Sequence, residues 1–149
     1  MTEHSVKHST FTLERTYPAS LARAFAAWAD RDTKAKWFAA HDTAYTLDFR
    51  VGGAEVAHGR TDDGAEIVAE SVYRDILTRE RIVYTTMLYG RGVLATVSVT
   101  TVEFVPDGTG THLVLTEQDT LLDDQEQPEW RQQGTGDWLD ALGRELGRR

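Results

Sequence analysis

Two carboxylates in strand-like stretches could do chemistry in this chain. Glu70 shares its parity with Val68 and Val72, and Glu117 shares its parity with Leu113 and Leu115. Residues two apart on a strand face the same side of a sheet. If both parities face a core, two carboxylates project inward from different strands. Burial would raise their pKa values and suit them to general acid–base work or to holding a ligand's polar end. The other placement is a wetted sheet end, or a pair with Arg50 or Arg81. Tyr84, in parity with Ile82, Thr86 and Leu88, adds a hydroxyl that a bound molecule could meet.

Other chemistries find less in the sequence. His4, His8, His41, His58 and His112 are scattered, and no pair has the H-x-x-x-H spacing of a metal site. No cysteine is present, so thiolate and disulfide chemistry is absent. Ser71 and Ser98 lie within strands rather than in a G-x-S-x-G turn. Gly90, Arg91 and Gly92 join two strands and do not open a helix, as a phosphate loop must. No catalytic residue, metal or cofactor is assigned.

The element that would hold such groups in place is the stretch 127–146. Trp130, Gly134, Trp138, Leu142 and Leu146 recur every four residues, with Leu139 and Ala141 beside them. Arg131, Gln132, Asp140, Arg144 and Glu145 occupy the side expected to face water. Such a helix spans roughly 30 Å, about the width of a small domain. Trp130 and Trp138 would face a cavity from the helix, with Leu142, Phe49 and Leu115 as further apolar wall. Trp28 and Trp37 read as packing residues.

Most of the preceding chain alternates as strands do. A first strand is expected over 9–16, ended by Pro18. Ser20 then caps a helix with Leu21, Ala24, Phe25 and Trp28 on one face, and Thr33 caps a shorter one reaching Trp37 and Phe38. Strands follow at 44–50, 54–59, 66–76, 81–89, 93–105 and 111–118, separated by turns rich in Gly and Asp. In the sixth of these seven strands the apolar parity changes between Val97, Val99 and Val102, Phe104, which predicts a bulge near Thr100 and Thr101. Short turns imply antiparallel neighbours. The fold class is α+β: a curved seven-stranded antiparallel sheet around a long C-terminal helix, with two short helices after the first strand. Residues 1–8 read as a flexible tail and 9–149 as one domain.

With 149 residues and a net charge of -8, the chain is unsuited to nucleic acid or an anionic membrane surface. Arg144, Arg148 and Arg149 form its one dense basic group, at the helix end. The N-terminal stretch lacks an apolar signal core, so the cytoplasm is the default location. A monomer or weak homodimer is the expected assembly.

Several local patterns resemble one family. They are residues 48–53 with Gly52 and Gly53, Asp75 and Ile76 followed by 79–85, 110–118, and Gly134 and Thr135 with Leu139, Leu142 and Leu146. Trp28, Trp37 and Phe38 match its early helices. The resemblance, over about 10–146, is to the AHSA1-like group: bacterial proteins similar to the C-terminal domain of the activator of heat-shock protein 90 ATPase. That group lies in the START-related, Bet v 1-like (SRPBCC, polyketide cyclase-like) superfamily and implies a helix-grip fold. Two departures stand out. No counterpart of the activator's separate N-terminal domain is present, and Asp137 and Trp138 stand where aliphatic residues are expected.

Together these observations lead to an expected role: binding a small apolar or aromatic molecule between sheet and helix, without catalysis. Its contacts would be Phe49, Glu70, Tyr84, Leu115, Glu117, Trp130, Trp138 and Leu142. The resemblance also implies contact with a chaperone of the heat-shock protein 90 type. A third alternative is a cyclase or hydrolase using Glu70, Glu117 or Tyr84 as acid or base.

Overall fold

The computed structural model describes residues 4–147. Strand β1, Val6–Tyr17, leads into helices α1, Leu21–Ala29, and α2, Arg31–Phe38. Strands β2, Thr46–Leu47, β3, Ala54–Arg60, β4, Glu66–Leu77, β5, Arg81–Gly90, β6, Val93–Asp107, and β7, Gly110–Leu122, precede helix α3, Pro128–Leu146. All neighbouring strands are antiparallel, in the order β1-β7-β6-β5-β4-β3-β2. The expected seven-stranded sheet, two short helices and closing helix are all present.

Local chemistry accounts for the boundaries. Ser20 Oγ accepts from the Arg23 amide at 3.2 Å and opens α1. Asp30 ends α1 and begins α2, accepting from both the amide and the hydroxyl of Thr33 at 3.0 and 2.7 Å. Asp30 is therefore the cap expected of Thr33, because its carboxylate reaches three residues forward. The strand expected over 44–50 is only Thr46–Leu47. Beyond it the chain curls tightly: a Cβ on Gly53 would lie 2.1 Å from the Asp48 carbonyl oxygen, and Gly52 has φ +84°.

Strand β1 starts earlier than expected. Val6 to His8, assigned to a flexible tail, pair with Leu122 to Thr120. Of that tail, residues 1–3 lie outside the described residues, as do Arg148 and Arg149 of the basic group. Strand β7 likewise runs on past Gln118 to Leu122.

The bulge in β6 is not at Thr100 and Thr101, which pair regularly with Tyr84 and Val83. It is at Ala95, where Leu88 meets Thr96 and Tyr89 meets Leu94. Val97 and Val99 point outward and are exposed, while Thr96, Ser98 and Thr100 share the buried face with Val102 and Phe104. No change of phase occurs there, because hydroxyls occupy half of the inward positions.

Helix α3 crosses the inner face of the sheet. Leu139, Leu142 and Leu146 join Phe11, Ile82, Val102, Phe104, Leu113 and Leu115 in the core. The Tyr17 hydroxyl donates to the Leu139 carbonyl at 2.8 Å, tying β1 to the helix. The helix is rotated relative to its apolar spacing. Its innermost line is Arg131, Thr135, Leu139, Leu142 and Leu146, whereas Trp130, expected on that line, is 60% exposed. Arg131, expected in water, retains 12% of its side-chain exposure because the sheet beneath it is polar.

Candidate functional site

The inner face of the sheet has two chemistries. Under the C-terminal half of α3 it is apolar. Under the N-terminal half, β7 presents Glu117 and Asp119, β6 presents Thr96, Ser98 and Thr100, and β4 and β5 present Ser71 and Thr86, all buried. Ser71 and Thr86 hydroxyls bond to each other at 2.7 Å. Arg131 meets Glu117 through two hydrogen bonds, Nε to Oε2 at 3.1 Å and Nη2 to Oε1 at 3.3 Å. The Thr135 hydroxyl approaches the same carboxylate at 3.5 Å.

Some of these groups, but not Thr96, Ser98, Asp119 or Thr135, line a cavity of about 30 Å³, room for about two water molecules. Its polar wall is Ser71, Thr86, Thr100, Glu117, Arg131 and Tyr84; Phe38, Leu88, Ala69 and Trp138 complete it. The spacious gap expected between helix and sheet is narrowed by Trp138, whose ring packs on Phe38 of α2 with centroids 4.6 Å apart. A larger cavity of about 300 Å³ shares Leu88 as a wall. It is lined mainly by apolar surface from Ile67, Tyr89, Ala95 and Trp130, with Glu126 and Arg91 at its margin. Leu88 thus borders both a wide vestibule and a narrow chamber with hydroxyls and an ion pair in its wall.

Electrostatics distinguish the chamber. Burial raises the Tyr84 phenol above its usual range, and Glu55 and Glu117 add to that, so the hydroxyl stays protonated. Burial lowers the Arg131 pKa, but Glu117, Glu126 and Asp119 outweigh it and keep the guanidinium charged. Asp119 is pushed up to about 8, first by burial and then by the neighbouring Glu117 carboxylate.

A second buried cluster lies behind Phe38. Lys34 and Glu55, 1% and 2% exposed, form an ion pair at 2.6 Å. Tyr73 and Tyr45 hydroxyls both donate to Glu55, the former at 3.1 Å. Lys34 Nζ lies 4.6 Å from the Phe38 ring centroid and 5.8 Å from that of Tyr84. Burial lowers the Lys34 pKa, while Glu55 opposes the shift.

The expected contact residues divide accordingly. Tyr84, Glu117 and Trp138 meet in the chamber, and Trp130 lines the vestibule. Leu115 and Leu142 are buried in the core, and Phe49 packs edge-on against Phe25 and Tyr73. Glu70 does not join them. It is exposed, because Ser71 and Tyr73 are the inward residues of β4 and the partly apolar Val68–Glu70–Val72 parity is the outer one. Arg131, Asp119 and the strand hydroxyls were missed. Asp119 was within reach of the parity argument, since it stands two residues beyond Glu117.

A protein-family model described as Activator of Hsp90 ATPase homolog 1-like protein matches residues 18–147. No curated protein matches the chain. Among solved structures, a protein from Rhizobium leguminosarum is 36% identical with a TM-score of 0.95, the match covering 99% of this chain and 100% of that one. Mll3558 from Rhizobium loti is 41% identical with a TM-score of 0.89, over 95% and 99% of the two chains. CalU16 from Micromonospora echinospora shares the fold at 17% identity and a TM-score of 0.70, over 99% and 87%. No helix among the described residues is long and apolar enough to cross a membrane.

Proposed function

The chain belongs to the AHSA1-like family, and from that premise we propose that it binds a small, largely apolar molecule through the vestibule and chamber beneath α3. One observation carries this reading: a narrow chamber that holds several hydroxyls and an ion pair and a wide, mainly apolar vestibule share one wall residue, Leu88. A flat apolar body would lie against Trp130, Ile67 and Tyr89. A polar end would enter past Leu88 towards Tyr84, Thr100 and the Arg131–Glu117 pair. Burial of apolar surface contributes about 25 cal/mol per Å², while polar groups in the chamber orient the guest. A guest longer than the chamber must turn Trp138 off Phe38, and the half-buried position of both rings supports that movement.

The test is a fragment screen by two-dimensional amide NMR, with Leu88→Trp as the blocked variant. Binders should shift amides of β5, β6 and the first turns of α3, and lose affinity at least tenfold in the variant. Shifts confined to other surfaces, or unchanged affinity in Leu88→Trp, would defeat the assignment. The family's description carries a second reading, contact with a chaperone of the heat-shock protein 90 type. Co-sedimentation with that chaperone, undiminished in Leu88→Trp, would favour it.

A further inference from the structure

Among the described residues His4, His58 and His112 each have a carboxylate beside them, and His58 is built differently from the others. His4 meets Asp123 at 3.2 Å in an exposed position. His112 has both nitrogens engaged, Nε2 with Glu14 at 2.8 Å and Nδ1 with Thr16 at 3.0 Å. His58 of β3 meets Asp42 through Nδ1 at 3.0 Å, and the Asp42 side chain is only 5% exposed. Two backbone amides fix that carboxylate: His58 donates to Oδ2 at 2.6 Å and Ala44 to Oδ1 at 2.9 Å. Burial raises the Asp42 pKa, but these amides and the His58 ring outweigh it and hold the carboxyl below its usual range. An ionised carboxylate only accepts, so Nδ1 carries the ring proton and Nε2 presents its lone pair. Nε2 has no protein partner among the described residues.

His58 lines a cleft of about 480 Å³, apart from the vestibule, with Phe38, Ala39, His41, Thr43 and Arg60. Phe38 and Ala39 give it apolar surface. Arg60 gives it a cation that is in no ion pair among the described residues; Nη1 donates to the Gly64 carbonyl at 2.9 Å. We infer that the Asp42–His58 pair is the base of a second site, which hydrolyses small apolar acyl esters. His58 Nε2 takes a proton from water while the water oxygen bonds to the acyl carbon. The carbonyl electron pair moves onto its oxygen, which the Arg60 guanidinium stabilises. When that pair returns, the ester C–O bond breaks, and the leaving oxygen departs with the bond's electrons and takes the proton from the imidazolium. A carboxylic acid and an alcohol or phenol are the products, and His58 is restored. Asp42 is a positioning residue: it fixes the tautomer and stabilises the imidazolium.

The experiment follows 4-nitrophenol release from 4-nitrophenyl acetate by the unaltered protein. The rate should saturate with ester and exceed that of equimolar free imidazole by at least about a hundredfold. His58→Ala should lose at least about tenfold in kcat and regain activity when millimolar imidazole is added, which a purely structural role would not allow. Asp42→Asn should lower kcat at least about tenfold with KM little changed. His112→Ala, which removes a histidine outside the cleft, should leave the rate unchanged. Hydrolysis no faster than with free imidazole would overturn the assignment, as would full activity in His58→Ala or an equal loss in His112→Ala. The comparison with free imidazole uses the unaltered protein, so it decides the question even where Asp42→Asn does not fold.

Discussion

Arg131 and Glu117 lie 14 residues apart and meet under α3 as a two-pronged ion pair, the side chains 12% and 4% exposed. Removing one partner strands the other's charge in a dry site. Arg131→Met should therefore destabilise the fold by about 3 kcal/mol in urea titrations at neutral pH. Arg131→Met combined with Glu117→Gln should cost less than the sum of the two single changes by at least about 1 kcal/mol. Strict additivity would mean that the pair is not coupled.

Asp119 should make the protein less stable as the pH rises. The folded state holds its proton more tightly than the unfolded chain does. Its favourable contribution is complete below the unfolded value of 3.8 and is lost progressively as the pH rises to about 8. Asp119→Asn should flatten that decline and leave the variant more stable than the parent at pH above about 8. Denaturation midpoints across this range measure it, and parallel curves for the two proteins would contradict the assignment.

Lys34 and Glu55 should form a second coupled pair, independent of the first. Lys34→Met leaves Glu55 charged against the Tyr45 and Tyr73 hydroxyls alone, at a cost of about 3–5 kcal/mol. Adding Glu55→Gln should recover part of that loss, because a neutral amide can be accommodated between the two hydroxyls. Guanidinium unfolding of both variants is the measurement. A loss below about 1 kcal/mol in the single variant would mean that water reaches Glu55.

Trp138→Ala should trade stability for space. The indole is half-buried on Phe38, so its removal should cost about 2–4 kcal/mol and extend the chamber towards α2. Added indole should then raise the melting temperature of the variant more than that of the parent, as expected for a guest that binds only the folded state. Equal shifts would show that the vacated volume had collapsed.

How much of this was legible follows from what alternation can carry. Short turns with Gly and Asp, a four-residue period over 127–146 and alternating apolar positions lead to seven antiparallel strands and a closing helix, and these are present. Tyr84, Glu117 and Trp138 lie in the chamber wall, on the inward side that their shared faces with recognisably apolar residues predict. Glu70 was misplaced for the same reason. Val68 and Val72 gave its face an apolar look, while the buried face of β4 is marked by Ser71 and Tyr73.

The order and class of the elements were written into local preference: caps such as Ser20 and Asp30, tight turns at Gly52 and Gly53, and periodicity. Which side of each element faced inward was decided only when they packed. Where the inner face is polar, hydropathy points the wrong way. Val97 and Val99 look like core and face out, and Arg131 looks like surface and lies against Glu117. A charge or hydroxyl enters a core only if a partner waits there. Here that partner came from another element: Arg131 of α3 for Glu117 of β7, and Glu55 of β3 for Lys34 of α2. No spacing along the chain records that complementarity.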